Sequence, residues 1–185
     1  GQADVCLICP DVPVETACSV IKLCKIYETK TILQNTVTAR NVEELKELDW
    51  PGEFFMVDTL LPDFVNAPIT EPSVGNSHDL KFVASELVAR GIKNVLIKIN
   101  SRGSFVIDKD GLTHVKGFEH ELVDDGAIGD AYAGAFAACF GCGDGVEDSV
   151  RFAQAAESIA AGRFGTIDAL PSKEEIIELL QMDGD

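Results

Sequence analysis

The stretch VDDGAIGDAYAGAFAACF sets three aspartates and two glycines close together: Asp124, Asp125, Gly126, Gly129 and Asp130. Glycine lets a backbone pass close to an anion. The N–H groups of Ala127, Ile128 and Gly129, ahead of an Ala-rich helical run, are placed to cradle a phosphate. A carboxylate at Asp130 beside that cradle can take the proton of an attacking hydroxyl while the cradle holds the group in transfer. Those are the two parts that phosphoryl transfer needs. The same aspartate has a second reading, because Asp in a first helical turn is favoured by capping and by the helix dipole. Spacing alone leaves both open.

The elements that must position this stretch read as alternating strands and helices. ADVCLI is a short apolar run, and Pro13 opens a helix with the stripe Val14, Ala17, Cys18 and Ile21. TKTILQ reads as a strand, NVEELKEL as a short helix, and GEFFMVDTLL as a strand ending at Pro62. Leu80, Val83, Ala84, Leu87 and Val88 form a helical stripe stopped by Gly91, and KNVLIKI follows as a buried strand. SFVIDKDGLTHV is a hairpin turning at Lys109-Asp110-Gly111. Helices are expected from Gly129 to Gly141, Val146 to Ala161 and Ser172 to Gln181. This order argues for an α/β domain with a mostly parallel sheet covered on both faces, residues 1–185 forming one domain. In such sheets ligands bind outside the carboxyl ends of the strands.

Composition narrows the partners. With 31 acidic and 15 basic residues the chain carries a formal charge of −16, which repels a phosphate backbone, so no nucleic-acid partner is expected. An anionic ligand needs a local positive field such as a helix N-terminus. No apolar run approaches a membrane span and the first residues lack a basic signal region, so a cytoplasmic protein without a membrane partner is expected. The chain enters a strand almost at once, as though it began inside something longer. Cys6/Cys9 and Cys139/Cys142 have the spacing of a four-thiolate zinc site. Reduced, mostly buried thiols are the stronger reading, since Cys6 and Cys9 face opposite sides of a strand. His78, His114 and His120 show no metal or triad spacing. No G-x-G-x-x-G follows the first strand, which removes a dinucleotide module.

VDDGAIGDAYAGAFAA resembles the signature of the ribokinase-like (phosphofructokinase B type) family of ATP-dependent carbohydrate kinases. GIKNVLIKINSRGSFVIDKDG, VKGFEHELVD and RFAQAAESIAAGRFGTIDALPSKEEI are similar to the family in the same order. The resemblance implies a three-layer α-β-α fold and transfer of the γ-phosphoryl group of ATP to a primary hydroxyl of a sugar, ribose giving ribose 5-phosphate. It makes Asp130 the general base and Ala127, Ile128 and Gly129 the anion hole. It gives Ser101, Arg102 and Gly103 contacts to ATP phosphates, and Gln154 a place near the adenine. A solvated helix residue is the alternative for Gln154. Magnesium falls to Asp63 and Asn66, and a monovalent cation, potassium as activator, to Asp124.

The departures define a competing expectation. Asp63 and Asn66 stand where the family has amide and carboxylate in the opposite order, Lys98 and Asn100 replace a hydroxyl and a flexible residue, and LQNTVTA differs from the family's Asn-Pro-rich turn. The N-terminal strands, the lid and the sugar-binding residues of the family are not found. A homo-oligomer or a further N-terminal segment is therefore expected beside sugar and ATP. The alternative is a non-catalytic binding or structural domain in an assembly.

Overall fold

A computed structural model describes residues 3–37, 42–64, 76–99 and 101–183, with the side chains of residues 42, 64 and 76–80 also left undescribed. Six strands form one sheet in the order β1-β2-β3-β4-β5-β6. They are β1 (Val5–Ile8), β2 (Lys30–Val37), β3 (Thr59–Phe64), β4 (Asn94–Lys98), β5 (Gly103–Asp108) and β6 (Gly111–Lys116). β1 to β4 pair parallel, and β5 and β6 form the expected hairpin. The helices are α1 (Val14–Ile26), α2 (Val42–Lys46), α3 (Asn76–Ala89), α4 (Ile128–Gly141), α5 (Val146–Ala161) and α6 (Lys173–Met182). Contacts divide the chain into two compact units, Gly1–Lys98 with Phe105–Thr113, and Ile99–Ser104 with His114–Asp185.

The first unit has its core between the sheet and its own helices. Ile21 of α1, Val83 and Leu87 of α3, and Leu33, Leu60, Val95 and Ile97 of the strands are buried together. Gly91 has φ +126°, and a Cβ there would sit 2.8 Å from the Phe55 carbonyl oxygen, so glycine is needed where α3 hands over to β4. Asp58, just before β3, is buried. It accepts from the Thr31 amide and hydroxyl, each at 2.8 Å, and pairs with Lys93 at 2.6 Å and Lys25 at 3.3 Å. Burial pushes this carboxyl up, but the Lys93 bond and then the Thr31 donors outweigh it and hold it below the usual range.

In the second unit Tyr132, Phe136 and Phe140, four apart on α4, turn inward, and the last two rings stack with centroids 5.3 Å apart. α6 starts with a capping box, in which the Ser172 hydroxyl accepts from the Glu175 amide and the Glu175 carboxylate accepts from the Ser172 amide. Arg163 is the larger influence on Glu175, followed by the Ser172 amide, and together they bring its pKa to about 2.

Four expectations need correction. Gly52–Met56 is a 3-10 turn, not strand, because it buries Phe54. β3 does not stop at Pro62 but runs through it. Its pairing with β4 reaches only Leu60, whereas its pairing with β2 continues to Phe64, so the missing N–H of Pro62 falls where no β4 partner stands. The thiols are not mostly buried, since Cys9 and Cys142 are exposed and only Cys24 is buried. Val14 begins α1 but is exposed rather than part of its buried stripe. Asn66, Asn100 and the side chain of Leu80 lie outside the described residues.

Candidate active site

The first turn of α4 holds Asp130 and follows directly on Ala127. Ala127 precedes the helix, no side chain caps it, and Asp130 is exposed and is the only charged residue in α4. The Ala131 amide closes the first helical bond onto the Ala127 carbonyl at 2.9 Å, and the Ile128 amide reaches the Asp125 carbonyl at 3.4 Å. The amides of Ala127 and Gly129 have no acceptor among the described residues. A Cβ added to Gly129 would meet nothing within 4 Å. Open N–H groups and free space at a positive helix end suit an anion, and an exposed carboxylate stands beside them. Asp130 does not use its side chain as a cap.

Asp124 fixes the loop that leads in. Its carboxylate accepts from the amides of Gly126 and Gly165, each at 3.0 Å, and so ties this loop to the turn after α5. Those bonds, Gly165's first, hold the carboxyl below its usual range. The Val123 and Asp124 amides both donate to the Ala161 carbonyl, at 2.8 and 3.4 Å. A carboxylate has about four lone-pair positions, so two accepted bonds leave Asp124 able to serve a cation.

Behind the site lies a buried network that the sequence reading did not include. The Ser104 hydroxyl is 3.0 Å from the Tyr132 hydroxyl and accepts from the Gln154 amide at 2.5 Å. It joins the residue after the Ser101–Gly103 turn to α4, two residues past Asp130, and to α5. Burial pushes the Tyr132 phenol well above its usual range and keeps it neutral. Gln154 is 1% exposed, so it is not the solvated residue that was the alternative for it. Its amide already holds Ser104. The only sequence signal was a lone tyrosine among Ala, Gly and Phe.

The Ser101–Gly103 turn is tight. The Ile99 amide donates to the Gly103 carbonyl at 2.7 Å, and the Arg102 carbonyl accepts from the Gly117 amide at 3.2 Å. Ser101 is half-buried, Arg102 exposed and Gly103 buried. Gly103 has φ +115°, and a Cβ there would lie 2.0 Å from the Val115 carbonyl oxygen. Packing against β6 therefore requires this glycine, whatever it contributes to a ligand. Asp63 is exposed near the end of β3 in the first unit. Among the described residues no group of three or more His, Cys, Asp or Glu could hold a metal, and no helix is long and apolar enough to cross a membrane.

A cavity of about 490 Å³ opens along α4. Asp130 lines it, with Gly134 and Ala138 of the same helix, Cys142 just after it, Phe152 of α5 and Ile176 of α6.

Residues 9–173 match the model of the pfkB family carbohydrate kinases. The ribokinase of Haemophilus influenzae is 28% identical over 68% of this chain and 42% of its own length. The ribokinase of Staphylococcus aureus is 24% identical over 95% of this chain and 56% of its own. The chain thus spans about half the length of the curated relatives it matches. Among solved structures, the ribokinase of Thermotoga maritima superposes with a TM-score of 0.74 at 25% identity, covering 96% of this chain and 57% of that one. The ribokinase of Arabidopsis thaliana, complexed with ribose and ATP, gives 0.78 at 21%, covering 96% and 56%. The fold they share with this chain is the three-layer α/β one.

Proposed function

We propose that this chain, which belongs to the pfkB family of carbohydrate kinases, carries the phosphoryl-transfer machinery of an ATP-dependent sugar kinase, with ribose as acceptor and ribose 5-phosphate as product. The observation that carries this reading is the open first turn of α4. Two backbone amides without a described acceptor sit next to an exposed carboxylate that makes no cap. In this reading Asp130 takes the proton from the sugar's primary hydroxyl as its oxygen attacks the γ-phosphorus, and the bond to the β-phosphate oxygen breaks to release ADP. The amides of Ala127, Ile128 and Gly129 hold the equatorial oxygens of the moving group. Removal of the proton and electrostatic support of the oxygens are the two contributions that such a transfer draws from protein.

Ser101 and Arg102 serve the ATP phosphates, and Gly103 gives their turn its shape. The hydrogen bonds that Ser104 shares with Tyr132 and accepts from Gln154 hold that turn in register with the base. Magnesium, when bound, neutralises phosphate charge. Asp63 offers it an exposed oxygen ligand, directly or through water, and Asn66 is its proposed companion. Potassium would be held at Asp124.

The reading as a non-catalytic binding or structural domain is favoured by the exchanged order of Asp63 and Asn66 and by Lys98 and Asn100 in the nucleotide stretch. Ribose-dependent release of ADP from Mg·ATP, measured with potassium present and with Asp130→Asn as control, decides between them. Release that disappears in the variant supports the kinase. Release that persists in the variant overturns Asp130 as base, and silence with every N-terminal segment supplied overturns the kinase.

A further inference from the structure

α4 runs out in the segment Cys139-Phe140-Gly141-Cys142-Gly143-Asp144. Cys139 lies in the last turn. Cys142 caps it with φ −66° and ψ −10°, still right-handed, so the two side chains stand one turn apart on one face. Such positions set their Cβ atoms about 5–6 Å apart, and a disulfide needs about 3.5–4.5 Å. Gly141 and Gly143 flank Cys142. Gly143 has φ +103° and a Cβ there would meet nothing within 4 Å, so the end of the helix has room to close that difference. The Cys139 thiol donates to the Asp144 carboxylate at 3.2 Å. Burial first, and then this bond, push the thiol up to about 11, so it keeps its proton until Asp144 takes it. Cys142 is exposed, and with Cys139 and Asp144 it borders the cavity of about 490 Å³.

We propose that Cys139 and Cys142 form a dithiol site for hydroperoxides, in which Cys142 is oxidised first, Cys139 closes the disulfide and Asp144 accepts the Cys139 proton. The Cys142 sulfur, as thiolate, attacks one oxygen of the hydroperoxide. An S–O bond forms, the O–O bond breaks, and the other oxygen leaves as water or an alcohol with the proton that Cys142 gave up. The Cys139 sulfur then attacks the Cys142 sulfur while its own proton passes to Asp144. An S–S bond forms, the S–O bond breaks, and the departing hydroxide takes that proton as water. Two thiols are oxidised to one disulfide and one hydroperoxide is reduced. The other four thiols are placed differently. Cys24 is buried, Cys6 and Cys18 are half-buried, and Cys9 follows β1, along which positions three apart point to opposite sides. The site lies at the opposite end of α4 from Asp130 and stands whether or not the kinase reading does.

The test reads oxidation and not transfer. The full chain, reduced and freed of reductant, is treated with equimolar hydrogen peroxide, quenched with N-ethylmaleimide and digested with trypsin, which releases both cysteines on one peptide, residues 117–151. Mass spectrometry should find that peptide short of two hydrogens and without maleimide, and a dithiol reductant should restore both labels. In Cys139→Ser the sulfenic acid should persist, so that dimedone labels Cys142. In Asp144→Asn that first oxidation should be unchanged while closure of the disulfide slows about 10²-fold. Circular dichroism melting establishes that both variants are folded. Two maleimides on the wild-type peptide, or a disulfide that forms sooner elsewhere in the chain, would overturn the site. Closure as fast in Asp144→Asn as in the wild type would overturn Asp144 as the proton acceptor.

Discussion

Asp58 and Asp130 are the same residue type put to opposite uses. Asp58 is buried ahead of β3 and surrounded by donors: two lysines, an amide and a hydroxyl. Asp130 is exposed on the first turn of α4, beside amides that have no described acceptor. A carboxylate whose lone pairs are all engaged holds structure and cannot accept a proton without breaking bonds. One left open beside a positive helix end is available for chemistry.

The comparison breaks first at Asp130→Asn. Transfer to ribose should fall by about 10²- to 10⁴-fold, the usual range for a lost general base, with the melting temperature unchanged. Asp58→Ala should do the reverse. It strands the Thr31 amide and leaves two lysines without their carboxylate, which should lower unfolding free energy by about 3 kcal/mol in urea titration. Transfer per folded molecule should be unaffected.

The pH dependence sharpens the contrast. The folded-state pKa of Asp58 is depressed, so its contribution is fully present above the unfolded value, about 3.9. It is lost as pH falls through the lower folded value. Acid titration of stability should show a slope below about pH 4 that is shallower in Asp58→Asn, with Glu175 and Asp124, whose carboxyls are also held low, supplying the remainder. A slope as steep in Asp58→Asn as in the wild type would remove the structural role. The smallest effect belongs to the second unit's capping box, where Ser172→Ala should cost about 1 kcal/mol by thermal melt and leave transfer alone.

Much of this was legible in the sequence because local rules governed it. The period of the apolar residues gave α1 and α3. The Asp-Gly turn gave the β5–β6 hairpin, and the glycine-flanked aspartates marked the first turn of α4. What was missed depends on neighbours distant in the chain. Gln154 is hidden because Ser104, fifty residues earlier, takes its amide. β3 passes through Pro62 because its pairing with β4 ends at Leu60. GEFFM turns rather than extends because Phe54 has a core to enter. None of these leaves a periodic signal. The role of Gly103 was half read, as a contact to a ligand, when its first requirement is the backbone of β6.

That glycine also bears on how the chain folds. A Cβ on Gly117 would lie 2.4 Å from the Ser101 carbonyl oxygen and 2.6 Å from the Gly103 amide nitrogen, and Gly103 faces Val115 and Gly117 as closely. Two backbone segments meet there without side chains between them, and they are near neighbours in sequence, so closing the loop between them costs little entropy. Contacts of that kind form early. On that argument the seam should register the hairpin before the distant helices arrive. A methyl group at Gly117 should slow refolding in stopped-flow measurements, and an effect confined to the unfolding rate would place the seam after the barrier.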